Sequence, residues 1–177
     1  MKNVKDFFNT TIVFYSLFGA SMILMYLFST LRHALTNIVA KQVFSRLSHV
    51  FSFLSIGFAY SAYTITKIQG VYGWILFGIV WGLVLIGILF YAISGRKYDK
   101  LNIVLATLAG ASGLAFAKLF FDVLSPRSFT MLCLAAVFYI VGILFYSLRK
   151  VKYMHVIANI FFLVGSIYLF FSMFFIA

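Results

Sequence analysis

Six apolar runs, each about the length needed to cross a bilayer, are separated by short polar or basic connectors, and this leaves the chain few ways to fold. The runs cover residues 10–31, 47–66, 71–93, 101–121, 129–148 and 155–176, and the connectors include "KIQG", "SGRKYDK", "DVLSPRS" and "RKVKY". In hydrocarbon every backbone polar group must find a partner within the protein, so a lone segment of this kind crosses as a helix. No run alternates with the period of two that a lipid-facing barrel strand requires. The predicted fold is therefore all-α: a polytopic transmembrane helical bundle of six spans in a single integral membrane domain, 1–177. Short connectors make sequential helices antiparallel. Pro126, the only proline, falls between spans, so no helix needs a proline kink.

Composition supports lipid as the solvent. Of 177 residues 64% are hydrophobic and 10% charged, with mean hydropathy +1.10. A soluble domain is about half apolar and about a quarter charged, and a chain of this size cannot hide so much apolar surface from water. The first run is too long for a cleavable signal peptide and lacks a small-residue cleavage site. Cys133, the one cysteine, reads as a small buried hydrophobe and implies no disulfide framework.

The formal net charge of +11 does not point to nucleic acid, because the basic residues sit in the connectors, as membrane proteins place them. The connectors after the first, third and fifth spans hold Arg32, Lys41, Arg46, Arg96, Lys97, Lys100, Arg149, Lys150 and Lys152. The opposite side holds Lys2, Lys5, Lys67, Lys118 and Arg127. Nine of the 14 against five make the first set cytoplasmic and put both termini outside, although the tail "MKNVK" pulls the other way. Gly78 and Gly82, and Gly110 and Gly113, suit close helix packing inside the bundle. Lys118 and Asp122 can pair one helical turn apart near the outer surface, and the abundant Phe and Tyr are mostly lipid-facing or interfacial.

With that topology all three histidines, His33, His49 and His155, gather on the cytoplasmic side and are expected at one membrane depth. "STLRH" sets Ser29 and His33 on one helical face, "HVIAN" does the same for His155 and Asn159, and "RLSH" puts Ser48 beside His49. Polar side chains near the membrane interior are costly and face a cavity or one another. Imidazoles on adjacent helices are a common means of holding zinc. The alternative is interfacial histidines wetted by headgroups and bonded to backbone carbonyls.

Three stretches carry a resemblance. "YSLFGASMILMYLFSTLRHAL" resembles the second transmembrane helix of the hemolysin III family, which belongs with the progestin and adipoQ receptors and so with the adiponectin receptors. "GVYGWILFGIVWGLVLIGILF" is similar to its fourth helix, and "FYIVGILFYSLRKVKYMHVIANIFFLVGSIYLFF" to its last two, including the pair Gly165 and Ser166. The resemblance implies a seven-helix fold, here lacking its first helix, around a metal site at the cytoplasmic side of a bacterial plasma membrane. It makes His33 a zinc ligand within S-x-x-x-H, with Ser29 beside it, and His155 a second ligand. Two positions depart from the family pattern. Asn159 stands where a third ligand histidine is expected, and Ser48 replaces the aspartate that would hold the metal-bound water.

A catalytic zinc site keeps three protein ligands and an open position for water. Asn159 offers only a neutral amide oxygen, and His49, the other possible third ligand, is turned about 100° around its helix from Ser48. Asp6, Asp99 and Asp122 lie in tails, loops or span ends, so no carboxylate is placed to act as a general base. The resemblance thus implies a degenerate site, with zinc weakly held or absent and no catalytic residue assigned. The expected role is in membrane-lipid homeostasis or as a non-catalytic partner. Membrane lipids and a full-length homologue or a homo-oligomer are the expected partners. A zinc-dependent, ceramidase-like lipid amidohydrolase is the alternative, and a cytolysin-type pore or small-molecule channel a second.

Overall fold

The computed structural model describes the backbone of residues 4–68, 70–94, 99–147 and 154–175. It describes their side chains except those of 4–10, 94, 99, 100 and 155. Lys2, Arg96, Lys97, Arg149, Lys150 and Lys152 lie outside the described residues, as do the side chains of Lys5, Asp6, Asp99, Lys100 and His155. All regular structure among the described residues is helical: α1 (Val4–Ala34), α2 (Ile38–Thr66), α3 (Val71–Ser94), α4 (Asp99–Ala111), α5 (Ala117–Val123), α6 (Pro126–Ser147) and α7 (Met154–Phe174). A 3₁₀ stretch, Ser112–Phe116, joins α4 to α5. Five stretches are long and apolar enough to cross a membrane: Thr11–Ala34, Val71–Ile93, Leu101–Val123, Pro126–Ser147 and Val156–Phe174.

The chain forms two compact units, Met1–Ala117 and Lys118–Ala177. In the first, α2 packs against α1, α3 and α4. That position explains why α2, which carries the expected span 47–66, is long enough to cross yet less apolar than the other five. Its side chains meet protein, so hydroxyls are tolerated where each finds a carbonyl. Ser55 donates to the Ser52 carbonyl (2.8 Å), Ser61 to that of Gly57 (2.8 Å), Thr64 to that of Tyr60 (2.9 Å), and Thr66 to that of Ala62.

The helix starts well before its apolar run. Asn37 is extended (φ −66°, ψ 125°), and its side chain accepts from the amides of Val39 (2.9 Å) and Ala40 (3.3 Å). Those amides have no carbonyl partner one turn back, so the cap lets helix begin at Ile38. The broad polar connector expected between the first two spans shrinks to residues 35–37.

Glycines join α2 to α3, though not those the sequence suggested. A Cβ at Gly57 would lie 3.2 Å from the Trp81 ring, and one at Gly87 only 2.4 Å from the Phe53 ring, so each glycine is a notch for an aromatic. Trp81 completes the seam by donating its indole N–H to Ser61 Oγ (2.9 Å). A Cβ at Gly78 or Gly82 would meet nothing within 4 Å, and both glycines are exposed. They share the outer face of α3 with exposed Trp74, Ile79, Ile86 and Leu89, which corrects the expectation that this pair packs inside the bundle.

The expected continuous span 101–121 is interrupted. The Tyr60 hydroxyl donates to the Gly110 carbonyl (2.5 Å) and accepts from the Gly113 amide (3.0 Å), serving the backbone groups that the change to 3₁₀ releases. A Cβ at Gly113 would fall 2.5 Å from that hydroxyl, so here the small residue makes room for a polar clamp.

The second unit is built on the α6–α7 pair. Pro126 opens α6, where its missing N–H matters least, and Ser125 Oγ caps it by accepting from the Ser128 amide (3.3 Å). Fully buried Ser128 and Ser172 bond reciprocally, each hydroxyl donating to the other's carbonyl (2.8 and 2.7 Å). Ser166 Oγ donates to the Phe162 carbonyl and so accepts from the Tyr139 hydroxyl, both at 2.8 Å. Cys133 is exposed on α6 rather than buried. In a run apolar on every side, composition does not tell the lipid face from the protein face.

Candidate functional site

The polar residues singled out from the sequence in the first unit fall on two helices. His33 follows Arg32 in the last turn of α1, and Ser48 and His49 lie inside α2. Tyr91, which the sequence did not single out, sits near the end of α3. Buried positions on α3 recur at Gly73, Leu76, Val80, Val84, Gly87 and Tyr91, a helical stripe turned toward protein. That stripe carries the Tyr91 hydroxyl inward.

A continuous series of contacts links the two described histidines. Arg32 Nη2 stands 3.1 Å from His33 Nε2, and Arg32 Nη1 donates to Ser45 Oγ at 3.3 Å. Ser45 Oγ lies 3.5 Å from the Tyr91 hydroxyl. The Tyr91 ring packs on the His49 ring with centroids 4.2 Å apart and planes at 36°. Ser45 and Tyr91 are both buried, and His33 is exposed. A guanidinium has only donors, so His33 Nε2 is the acceptor, and a neutral ring then carries its proton on Nδ1.

His33 and His49 do not share one depth. Ser48 Oγ donates to the Met25 carbonyl at 3.2 Å, which sets His49 near the level of Met25. Phe28 packs against both Phe44 and Phe51, in keeping with that pairing of α1 with α2. His33 lies two turns beyond Met25, roughly 12 Å along the helix axis. The expectation failed because α2 begins at Ile38, which puts His49 three turns into the helix rather than at its start. Ser29 is half-buried one turn before His33, and Asn159 is half-buried on α7 of the second unit. Among the described residues no three His, Cys, Asp or Glu side chains form a group that could hold a metal ion.

Arg32, Ser45 and Tyr91 were not anticipated as part of this cluster. A signal for Ser45 was available, since "SRLSH" repeats in α2 the serine–histidine spacing of "STLRH" in α1. Arg32 reads as one more connector charge until α1 is seen to carry it inside the last turn.

Residues 2–170 match the family described as haemolysin-III related. The chain belongs to that family. It is 30% identical to "Hemolysin-3" of Bacillus cereus over 166 residues, covering 94% of this chain and 76% of that protein. It is 32% identical to "Hemolysin-3 homolog" of Bacillus subtilis (strain 168) over 164 residues, covering 93% and 77%. No solved structure matches. With its several apolar crossing helices, this haemolysin-III-related protein is an integral membrane protein.

The described residues do not fit the metal that the family resemblance implies. Zinc needs deprotonated nitrogen, sulfur or carboxylate donors with lone pairs aimed at it. In this haemolysin-III-related chain His33 Nε2 already accepts from a cation, and a second, divalent charge at the same nitrogen would be repelled. Ser48 is neutral, and its one proton is committed to the Met25 carbonyl.

Proposed function

We propose that this hemolysin III family protein carries a decayed metal site on the cytoplasmic side of a bacterial plasma membrane, with both termini outside. In this reading zinc binds weakly or not at all, with His33 and His155 as its remaining ligands and Asn159 or His49 as a poor third. The protein acts in membrane-lipid homeostasis or as a non-catalytic partner, whether of a full-length homologue or of a second copy. The observation that supports this most is Ser48. It stands at the aspartate position of the resemblance with its hydroxyl turned to the Met25 carbonyl. A neutral hydroxyl so placed lacks the charge with which a carboxylate holds a metal-bound water and cannot take its proton, the task general-base catalysis requires.

Metal analysis of the purified full chain supplied with micromolar zinc tests the reading. Well under one equivalent per chain is expected, with no release of fatty acid from amide-linked lipids. Stoichiometric zinc that disappears in His33→Ala and His155→Ala, together with such release, would replace this reading with the zinc-dependent amidohydrolase. Dye leakage from vesicles that survives both substitutions would instead point to a pore, the lytic property named in its relatives.

A further inference from the structure

We propose that the Arg32 guanidinium is a built-in cation that takes the coordinating nitrogen of His33 and keeps a divalent ion from it. The inference rests on the decayed-site reading and names what fills the place. His33 Nε2 has one lone pair, and Arg32 Nη2 lies 3.1 Å from it. Since the neutral ring then holds its proton on Nδ1, neither ring nitrogen keeps an unused lone pair for a metal.

The guanidinium is also anchored from its other side. Nη1 reaches Ser45 Oγ on α2, which in turn lies 3.5 Å from the buried Tyr91 hydroxyl on α3. A planar fork can satisfy two partners on different helices at once, whereas a lysine ammonium would act as a point charge. The cation thus ties the end of α1 to α2, and Ser45 carries the contact on to α3. A metal ion that bridges helices would do comparable work, but this one is covalently part of the chain and is never lost to a chelator. A mobile divalent ion approaching His33 would have to displace Arg32 from both contacts and then remain beside its positive charge.

Equilibrium dialysis against zinc, with the full chain in detergent, tests this on Arg32→Gln and Ser45→Ala, each also combined with His33→Ala. Arg32→Gln should bind zinc about 10-fold tighter than the unsubstituted protein or better, because the substitution removes the cation that occupies the His33 lone pair and repels the ion. Ser45→Ala, which frees one arm of the guanidinium, should give a smaller gain, and both gains should vanish with His33→Ala. Thermal unfolding without zinc should begin earlier in Arg32→Gln, and added zinc should restore part of the difference. Unchanged zinc affinity in folded Arg32→Gln overturns the proposal, and if that variant does not fold, unchanged affinity in Ser45→Ala overturns it. If the unsubstituted protein itself holds one zinc through His33, the decayed-site reading falls and takes this inference with it. If that protein excludes zinc and both variants do too, only the inference falls.

Discussion

At the scale of single residues, Gly73 and Gly78 show how differently two glycines of one apolar helix are used. A Cβ at Gly73 would stand 1.7 Å from the Ile68 carbonyl oxygen, where the chain leaves α2 through Gly70 at φ +107°. At Gly78 it would meet nothing within 4 Å. Gly73→Ala is expected to lower stability by about 3 kcal/mol, since the obstruction is backbone and cannot swing away. Gly78→Ala should change it by no more than about 0.5 kcal/mol, or raise it by up to about 1 kcal/mol through helix propensity. Unfolding in detergent, followed by tryptophan fluorescence, measures both. Loss at Gly78 equal to that at Gly73 would mean that the outer face of α3 is covered. In the sequence the two residues differ only by their distance from "KIQG", so the turn glycine is legible and the idle one is not.

At the scale of elements, most described hydroxyls serve a carbonyl of their own helix, and a few join two helices. Ser128 and Ser172 exchange two hydrogen bonds between α6 and α7, and both are fully buried. Ser128→Ala and Ser172→Ala should each cost about 0.6 kcal/mol, the usual size for polar contacts between membrane helices. Because each hydroxyl donates to a backbone carbonyl that alanine keeps, the two losses should nearly add in the double variant. Unchanged stability in both single variants, measured by unfolding in detergent, would show that the pair does not hold α6 to α7. Element type and approximate place were legible for all six expected spans, because long apolar runs admit little else. The start of α2 was not, because a helix capped by Asn37 continues into polar residues that an apolar window discards. Nor was the 3₁₀ break at Ser112–Phe116, which depends on a tyrosine hydroxyl some fifty positions away in sequence.

At the scale of the whole molecule, orientation rests on the distribution of Lys and Arg, and that is a field effect no single contact decides. Cysteine labelling in a Cys133→Ala background reads it directly, using Lys41 and Arg127, which are both exposed. Lys41→Cys should react with an impermeant maleimide only in inside-out vesicles, and Arg127→Cys only in right-side-out ones. The reverse pattern would invert the topology and move His33 to the outer leaflet.

The amino-acid sequence alone determined the solvent, the helical class and the family. The first two follow from composition and from runs whose length is matched to a bilayer, which are summed over many residues so that no single contact matters, and the family follows from the resemblance of particular stretches. Which side of each helix faces protein was decided only by tertiary structure. Apolar residues encircle most of these helices, so periodicity carries little information about facing. The same limit hid the polar cluster, because Arg32, Ser45 and Tyr91 come from three helices and acquire a shared role only once packing brings them to His33 and His49.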